Sequence, residues 1–211
     1  MFSLLDAAWK QLYQVQQHTT ILLGPSNAGK TTILERLKIL FAETENHKQL
    51  PKVRPTIGLN VANLKVSSTY FLLWDFGGKE SLRPIWEKYV TDAETVVYVI
   101  DSSSEETVND SKKLLKELLE RTDLVKVPFL IYVNKQDLPG ALSLLQVVDK
   151  LDLPFEVDRL RWFQNCSAIQ GYGIKEGFEW LERHLVAKPQ KLSDHNIVKV
   201  AKPKPSYLSE Q

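Results

Sequence analysis

Thr19-Thr20-Ile21-Leu22-Leu23-Gly24-Pro25-Ser26-Asn27-Ala28-Gly29-Lys30-Thr31 is the most informative junction in the chain. Thr19 to Leu23 is a run of β-branched and aliphatic residues, the pattern of a buried strand. Lys30 to Ala42 carries Ile33, Leu34, Leu37 and Phe41 at helical spacing, so one side of a helix there is apolar. Between the two, Gly24 to Thr31 fits GxxxxGK[ST]. A strand that passes through such a turn into a helix builds an anion cradle. Gly24 and Gly29 let the backbone curl with its N–H groups inward, and the helix N-terminus adds the positive end of its dipole. Lys30 is then placed to reach β and γ phosphates, and the Thr31 hydroxyl to ligate Mg²⁺.

The same alternation continues along the chain. Leu59 to Val66 and Tyr70 to Trp74 read as short strands joined in a hairpin at Ser67-Ser68. Thr95 to Ile100, Val127 to Val133 and Trp162 to Cys166 read as strands. Glu105 to Arg121, Leu142 to Leu151 and Ile174 to Leu185 read as helices. Continuous apolar strands that alternate with helices predict an α/β fold with a mostly parallel sheet covered on both faces. Residues 43–55 are polar and close with Pro51 and Pro55, the signature of a loop.

The two ends differ from this middle. Residues 2–16 place Phe2, Leu5, Trp9, Leu12 and Tyr13 on one face of an amphipathic helix. That face either packs on the chain's own core or lies in a membrane interface. From Val186 the chain holds Pro189, Pro203 and Pro205 and more lysine than acid, so 186–211 reads as a solvated tail or a weak polybasic contact. The expected division is a helix over 1–17, a nucleotide-binding domain over 18–185 and a tail over 186–211.

Composition narrows the classes. The 211 residues are 43% hydrophobic and 25% charged, which excludes a wholly disordered chain or a fibre. The single cysteine, Cys166, cannot form an internal bridge and reads as a small core residue. A net charge of +1 gives no whole-chain argument for nucleic acid. No apolar run approaches the ~18 residues of a membrane span, and the charged opening does not read as a secretory signal. His18, His47, His184 and His195 show no metal-ligand spacing.

Three further motifs follow strands. Trp74-Asp75-Phe76-Gly77-Gly78 puts a carboxylate at a strand end, where it can hold Mg²⁺ through water, and a glycine whose N–H can meet a γ-phosphate. Asn134-Lys135-Gln136-Asp137 offers a carboxylate to the N1–H and 2-amino donors of guanine; adenine would leave it unpaired. Asn134 would brace the surrounding loops and the Lys135 stem would cover the base. Ser167-Ala168 would bring a backbone N–H to guanine O6. Thr56, in Pro55-Thr56-Ile57-Gly58, supplies the hydroxyl a nucleotide-sensing loop needs for Mg²⁺ and the γ-phosphate.

In order, GPSNAGKT, PTIG, WDFGGK, NKQD and CSA resemble the Arf (ADP-ribosylation factor) family of small GTPases, from the N-terminal helix to about Leu185. PTIGLNV, LLWDFGG, LRPIWEKY and VNKQDLPGA look Arf-type rather than Ras- or Rab-type. The resemblance implies a six-stranded Ras-like sheet flanked by helices. It implies that Gly24, Asn27, Ala28, Gly29, Lys30, Thr31 and Thr32 bind phosphates, and that Thr31 and Thr56 bind Mg²⁺. It further implies that Asp75 and Gly78 sense the γ-phosphate, and that Asn134, Lys135, Asp137 and Ala168, beside Ser167, read guanine. Leu59, Trp74 and Tyr89 fall where the family presents its apolar effector-binding triad.

Two departures stand out. Phe2 replaces the glycine that Arf proper needs for myristoylation. Met-Phe at the start and the long 43–55 segment look more like the Arf-related branch, which is thought to be N-acetylated and to recruit Golgi trafficking factors. Lys79 follows Gly78 where the family carries its water-orienting glutamine. The implied function is a monomeric, cytoplasmic GTP/GDP switch, peripheral on Golgi or other endomembranes. Its implied partners are an exchange factor, an activating protein and effectors, with reversible membrane contact through the N-terminal helix. The alternatives are a GTP-bound scaffold that hydrolyses nothing and, further off, an ATP-dependent P-loop kinase.

Overall fold

The computed structural model describes residues 17–42, 49–154 and 159–186. The expected N-terminal helix and the tail beyond 186 lie outside the described residues. Strand β1 (Gln17–Leu23) leads to α1 (Lys30–Leu40), then β2 (Leu59–Val66) and β3 (Thr69–Phe76). A short 3₁₀ turn precedes α2 (Arg83–Val90). β4 (Thr95–Asp101), α3 (Glu105–Leu119), β5 (Phe129–Asn134), α4 (Leu144–Leu151), β6 (Arg161–Asn165) and α5 (Ile174–Val186) complete the chain.

The strands form one six-stranded sheet in the order β2-β3-β1-β4-β5-β6. Only β2 and β3 pair antiparallel, in a hairpin that runs from Leu59↔Phe76 to Val66↔Thr69. Ser67 carries its turn at φ 51°. The other neighbours are parallel. This is the expected mostly parallel sheet, and its cause is visible in β4: all seven residues from Thr95 to Asp101 are buried, because helices cover both faces. Successive side chains go to opposite cores. Val96, Tyr98 and Ile100 join Trp86, Leu115 and Val147 on one face, whereas Val97 and Val99 join Leu34, Phe71 and Phe178 on the other.

Two differences from the sequence reading have simple causes. Arg83–Val90 forms a helix that apolar periodicity did not single out. It is short, exposes Pro84, Glu87 and Lys88, and buries only Trp86 and Val90, while proline near its first position presets the helical φ. The helix expected from Leu142 begins at Leu144, because Ser143 caps it: its hydroxyl accepts from Gln146 N, and the Gln146 side chain accepts from Ser143 N.

Phe178 of α5 is fully buried and meets Phe71 of β3 edge-on, with ring centroids 4.9 Å apart. Phe178→Ala should therefore cost about 3–5 kcal/mol of stability, read as a lower denaturant midpoint with little change in slope. A loss below about 1 kcal/mol would show that α5 is not anchored there.

Candidate functional site

The C-terminal ends of β1, β3, β4, β5 and β6 open onto one edge of the sheet, and the predicted phosphate- and base-binding residues lie at those strand ends and on the loops and helix start that follow, with Thr56 coming from the segment before β2. At the first loop Gly24, Asn27 and Gly29 all take positive φ, at 139°, 62° and 100°. α1 then begins at Lys30, with Thr31 and Thr32 in its first turn. The Lys30 ammonium is buried and curls back, donating to the Gly24 carbonyl at 2.9 Å and the Pro25 carbonyl at 2.8 Å. Burial lowers its pKa to about 8, against the opposing pull of the Asp75 carboxylate. A buried cation held by neutral carbonyls is a strong seat for an anion.

Beside it, the Thr31 and Thr56 hydroxyls lie 2.6 Å apart, and Thr31 donates to Asp75 Oδ2 at 2.7 Å. Thr56 donates to the same oxygen at 3.2 Å. Asp75 is fully buried, and burial raises its pKa. Its other oxygen, Oδ1, is buried with no hydrogen-bond partner among the described residues. No group of three or more His, Cys, Asp or Glu forms a metal cage among those residues. Two hydroxyls and one carboxylate with an unused oxygen fit Mg²⁺, which takes few protein ligands and fills the rest with water and phosphate.

The Thr56 loop is tied to the loop after β3, because Gly77 N donates to the Gly58 carbonyl at 2.9 Å. Gly78 rests directly on the phosphate loop: a Cβ there would sit 2.5 Å from Lys30 Nζ and from Ser26 N. Only a residue without a side chain permits that approach. Lys79, next in line, is exposed; its carbonyl accepts from Leu82 N at 2.9 Å, and its side chain makes no hydrogen bond or ion pair among the described residues.

At the opposite end, Asn134 is buried and bridges two loops. Its Nδ2 donates to the Ala28 carbonyl at 2.8 Å, and its Oδ1 accepts from Ala168 N at 3.0 Å. Asp137 Oδ1 accepts from the Ser167 hydroxyl at 2.5 Å. Lys135, at φ 68°, pairs with Asp101 Oδ2 at 2.5 Å. Asp101 is a site residue that sequence reasoning missed. Its signal was available, since it ends the apolar run of β4 and ligands gather at the carboxyl ends of parallel strands. Gln136 was missed too: its amide donates to Ser102 Oγ at 2.8 Å and to the Leu142 carbonyl at 2.7 Å, fixing the loop that carries Asp137.

Leu59, Trp74 and Tyr89 pack on one core. Trp74 and Tyr89 meet edge-on at 5.0 Å, and Leu59 packs half-buried on the same core. Ile57 and Val61, at 93% and 51% exposure, extend an apolar surface along β2.

Comparison with known proteins agrees with this architecture. The model of the ADP-ribosylation factor family matches residues 5–185. The chain is 35% identical over 188 residues to ADP-ribosylation factor-related protein 1 of Homo sapiens, covering 88% of this chain and 94% of that one. It is 38% identical over 165 residues to ADP-ribosylation factor-like protein 3 of Chlamydomonas reinhardtii, covering 78% and 89%. Among solved structures, the Arl6 (BBS3) small GTPase of Trypanosoma brucei with the bound nucleotide analogue GppNp superposes with a TM-score of 0.70 at 28% identity, covering 81% of this chain and 98% of that one. With a family match across nearly the whole described chain and a Ras-like sheet whose strand ends carry the motif residues, this protein belongs to the ADP-ribosylation factor family.

Proposed function

We propose that the chain is a guanine-nucleotide switch whose GTP-bound form recruits effectors to an endomembrane. The observation that carries the reading is the meeting of Thr31, Thr56 and Asp75. It joins the helix that opens the phosphate cradle, a loop before β2 and the end of β3 at one point. A γ-phosphate beside that point gives both loops a reason to stay. Mg²⁺, when bound, would supply neutralisation of the phosphate charge. Thr31 and Thr56 would hold it by their hydroxyls, and Asp75 through water. Lys30 would exchange its two carbonyl partners for phosphate oxygens, and the Gly78 amide would be available to the γ-phosphate. Leu59, Trp74 and Tyr89 lie on the β2–β3 hairpin and α2, next to both loops, so the apolar surface reports the nucleotide state. The resemblance to the Arf-related branch supports a site of action at Golgi membranes, and membership of the family supports service by an exchange factor, an activating protein and effectors.

Asp137 carries guanine selectivity. Asp137→Asn should weaken GTP binding by about a hundredfold or more and favour xanthosine triphosphate, because an amide N–H can face the new carbonyl. Competition against a fluorescent guanine nucleotide measures both. ATP competing as well as GTP with the wild type would overturn the reading.

Lys79 bears on hydrolysis. A lysine ammonium has three donors and no acceptor, so it cannot both orient a water and donate to the γ-phosphate as glutamine does. Lys79→Gln should therefore raise single-turnover GTP hydrolysis by roughly tenfold or more in the presence of an activating protein. Equal rates would show that another group orients the water. A wild type with no measurable turnover under any condition favours the scaffold reading, for which the exposed lysine is the specific observation.

The segment 1–16, with Phe2, Leu5, Trp9 and Leu12, would supply the membrane contact, and single weak anchors are reversible. Partial liposome binding should follow GTP and be lost on deletion of residues 1–16. Equal sedimentation of the GDP and GTP forms would defeat this.

A further inference from the structure

Arg36 lies six residues beyond Lys30 on α1, about 9 Å along the helix axis at 1.5 Å per residue. None of the motifs includes it. Its side chain reaches the loop between β6 and α5. Arg36 Nε donates to the Ala168 carbonyl at 3.0 Å, and Nη2 donates to the Ile169 carbonyl. Gly171, at φ 92°, closes on the same group: a Cβ there would sit 3.2 Å from Nε and 3.3 Å from Cδ and Cζ. One planar fork therefore holds two successive carbonyls while a glycine backbone covers it.

The peptide units that Arg36 grips directly follow the residues that set the base end. Ala168 N donates to Asn134 Oδ1 at 3.0 Å. The neighbouring Ser167 hydroxyl donates to Asp137 Oδ1 at 2.5 Å and accepts from Gln170 N at 3.0 Å. Ser167 and Ala168 are buried, whereas Ile169 is 65% exposed, so the loop turns outward where the guanidinium meets it. Asp137 takes its position from Ser167, and the loop that carries Ser167 is anchored to α1.

We propose that Arg36 is a positioning residue for base recognition. It fixes the 167–171 loop to the helix that opens the phosphate cradle, and so holds the Ser167–Asp137 contact in register with the phosphates. The proposal rests on the guanine-nucleotide reading above and adds to it a residue that touches neither base nor phosphate. A lysine would be a poorer substitute, because its freely rotating ammonium lacks the fixed planar spacing with which the guanidinium fork meets both carbonyls at once.

The test uses the full chain loaded with N-methylanthraniloyl-GDP, with GDP, inosine diphosphate and ADP as competitors. Inosine diphosphate lacks the 2-amino group that pairs with Asp137, so the ratio of GDP to inosine diphosphate affinity reads that one contact. Arg36→Met keeps the stem and removes the fork. It should speed release of the labelled GDP by roughly five- to tenfold, at the low end of the usual range of coupling between sites, and lower the GDP preference over inosine diphosphate by a similar factor. Arg36→Lys should fall between wild type and Arg36→Met. Gly171→Ala, which presses on the guanidinium from the other side, should move the ratio in the same direction. A lower melting temperature with an unchanged ratio in Arg36→Met would overturn the proposal, because packing alone gives that pattern. A wild type that prefers GDP to ADP while Arg36→Met keeps its ratio leaves the guanine reading standing and removes Arg36 from it. A wild type with no preference for GDP over ADP overturns both.

Discussion

The buried side-chain amide of Asn134 is the constraint on which the site depends. It is 2% exposed, yet it satisfies a carbonyl of the phosphate loop and an amide of the loop after β6 at once. Three loops, from β1, β5 and β6, therefore meet on one planar group. Losing it would strand a buried donor and a buried acceptor, at about 1–3 kcal/mol each. The same geometry explains Gly29: any Cβ there would collide with Asn134 Nδ2. A glycine in one motif and an asparagine more than a hundred residues later are two halves of one contact.

The phosphate end is built on the opposite principle. Lys30 and Asp75 are both buried, and burial disfavours the charged form of each. Each is only partly compensated by the residues around it, Lys30 by two carbonyls and Asp75 by two hydroxyls on one oxygen. Charges left in that condition are the usual mark of a site that awaits a charged ligand. The base end is a finished scaffold and the phosphate end an unfinished one, which suits an element that must respond to what it binds.

That response has a path through the backbone. Gly77 N to the Gly58 carbonyl ties the two loops together, and the Trp86 indole donates to the Gly77 carbonyl at 3.3 Å. Trp86 belongs to α2, which carries Tyr89, and Tyr89 packs on Trp74 of β3. The β2–β3 hairpin sits at one end of the sheet order, with β1 as its only parallel neighbour. Among the described residues, this edge hairpin with its aromatic surface lacks the cover that buries β4 on both faces.

Much of this was legible in the sequence. Glycines, a lysine and hydroxyls at fixed spacing announce a phosphate cradle, because the backbone curl and the helix terminus are local properties of that turn. Continuous apolar strands alternating with helices announce a parallel sheet, because only a sheet covered on both faces can bury such strands. The partners of Asp101, Gln136 and Arg36 were not legible, although the place of Asp101 at the end of the apolar run of β4 was. Each acts across a long stretch of chain, and a polar residue at a strand end or on a helix looks the same in sequence whether it faces water or a partner. The helix Arg83–Val90 was missed because its buried face is only Trp86 and Val90, too few residues for periodicity to show. Local chemistry determined what the loops can bind. Only the tertiary structure decided which residues hold those loops in place, because hydrogen-bond geometry between distant segments exists only once the sheet has set their strand ends side by side.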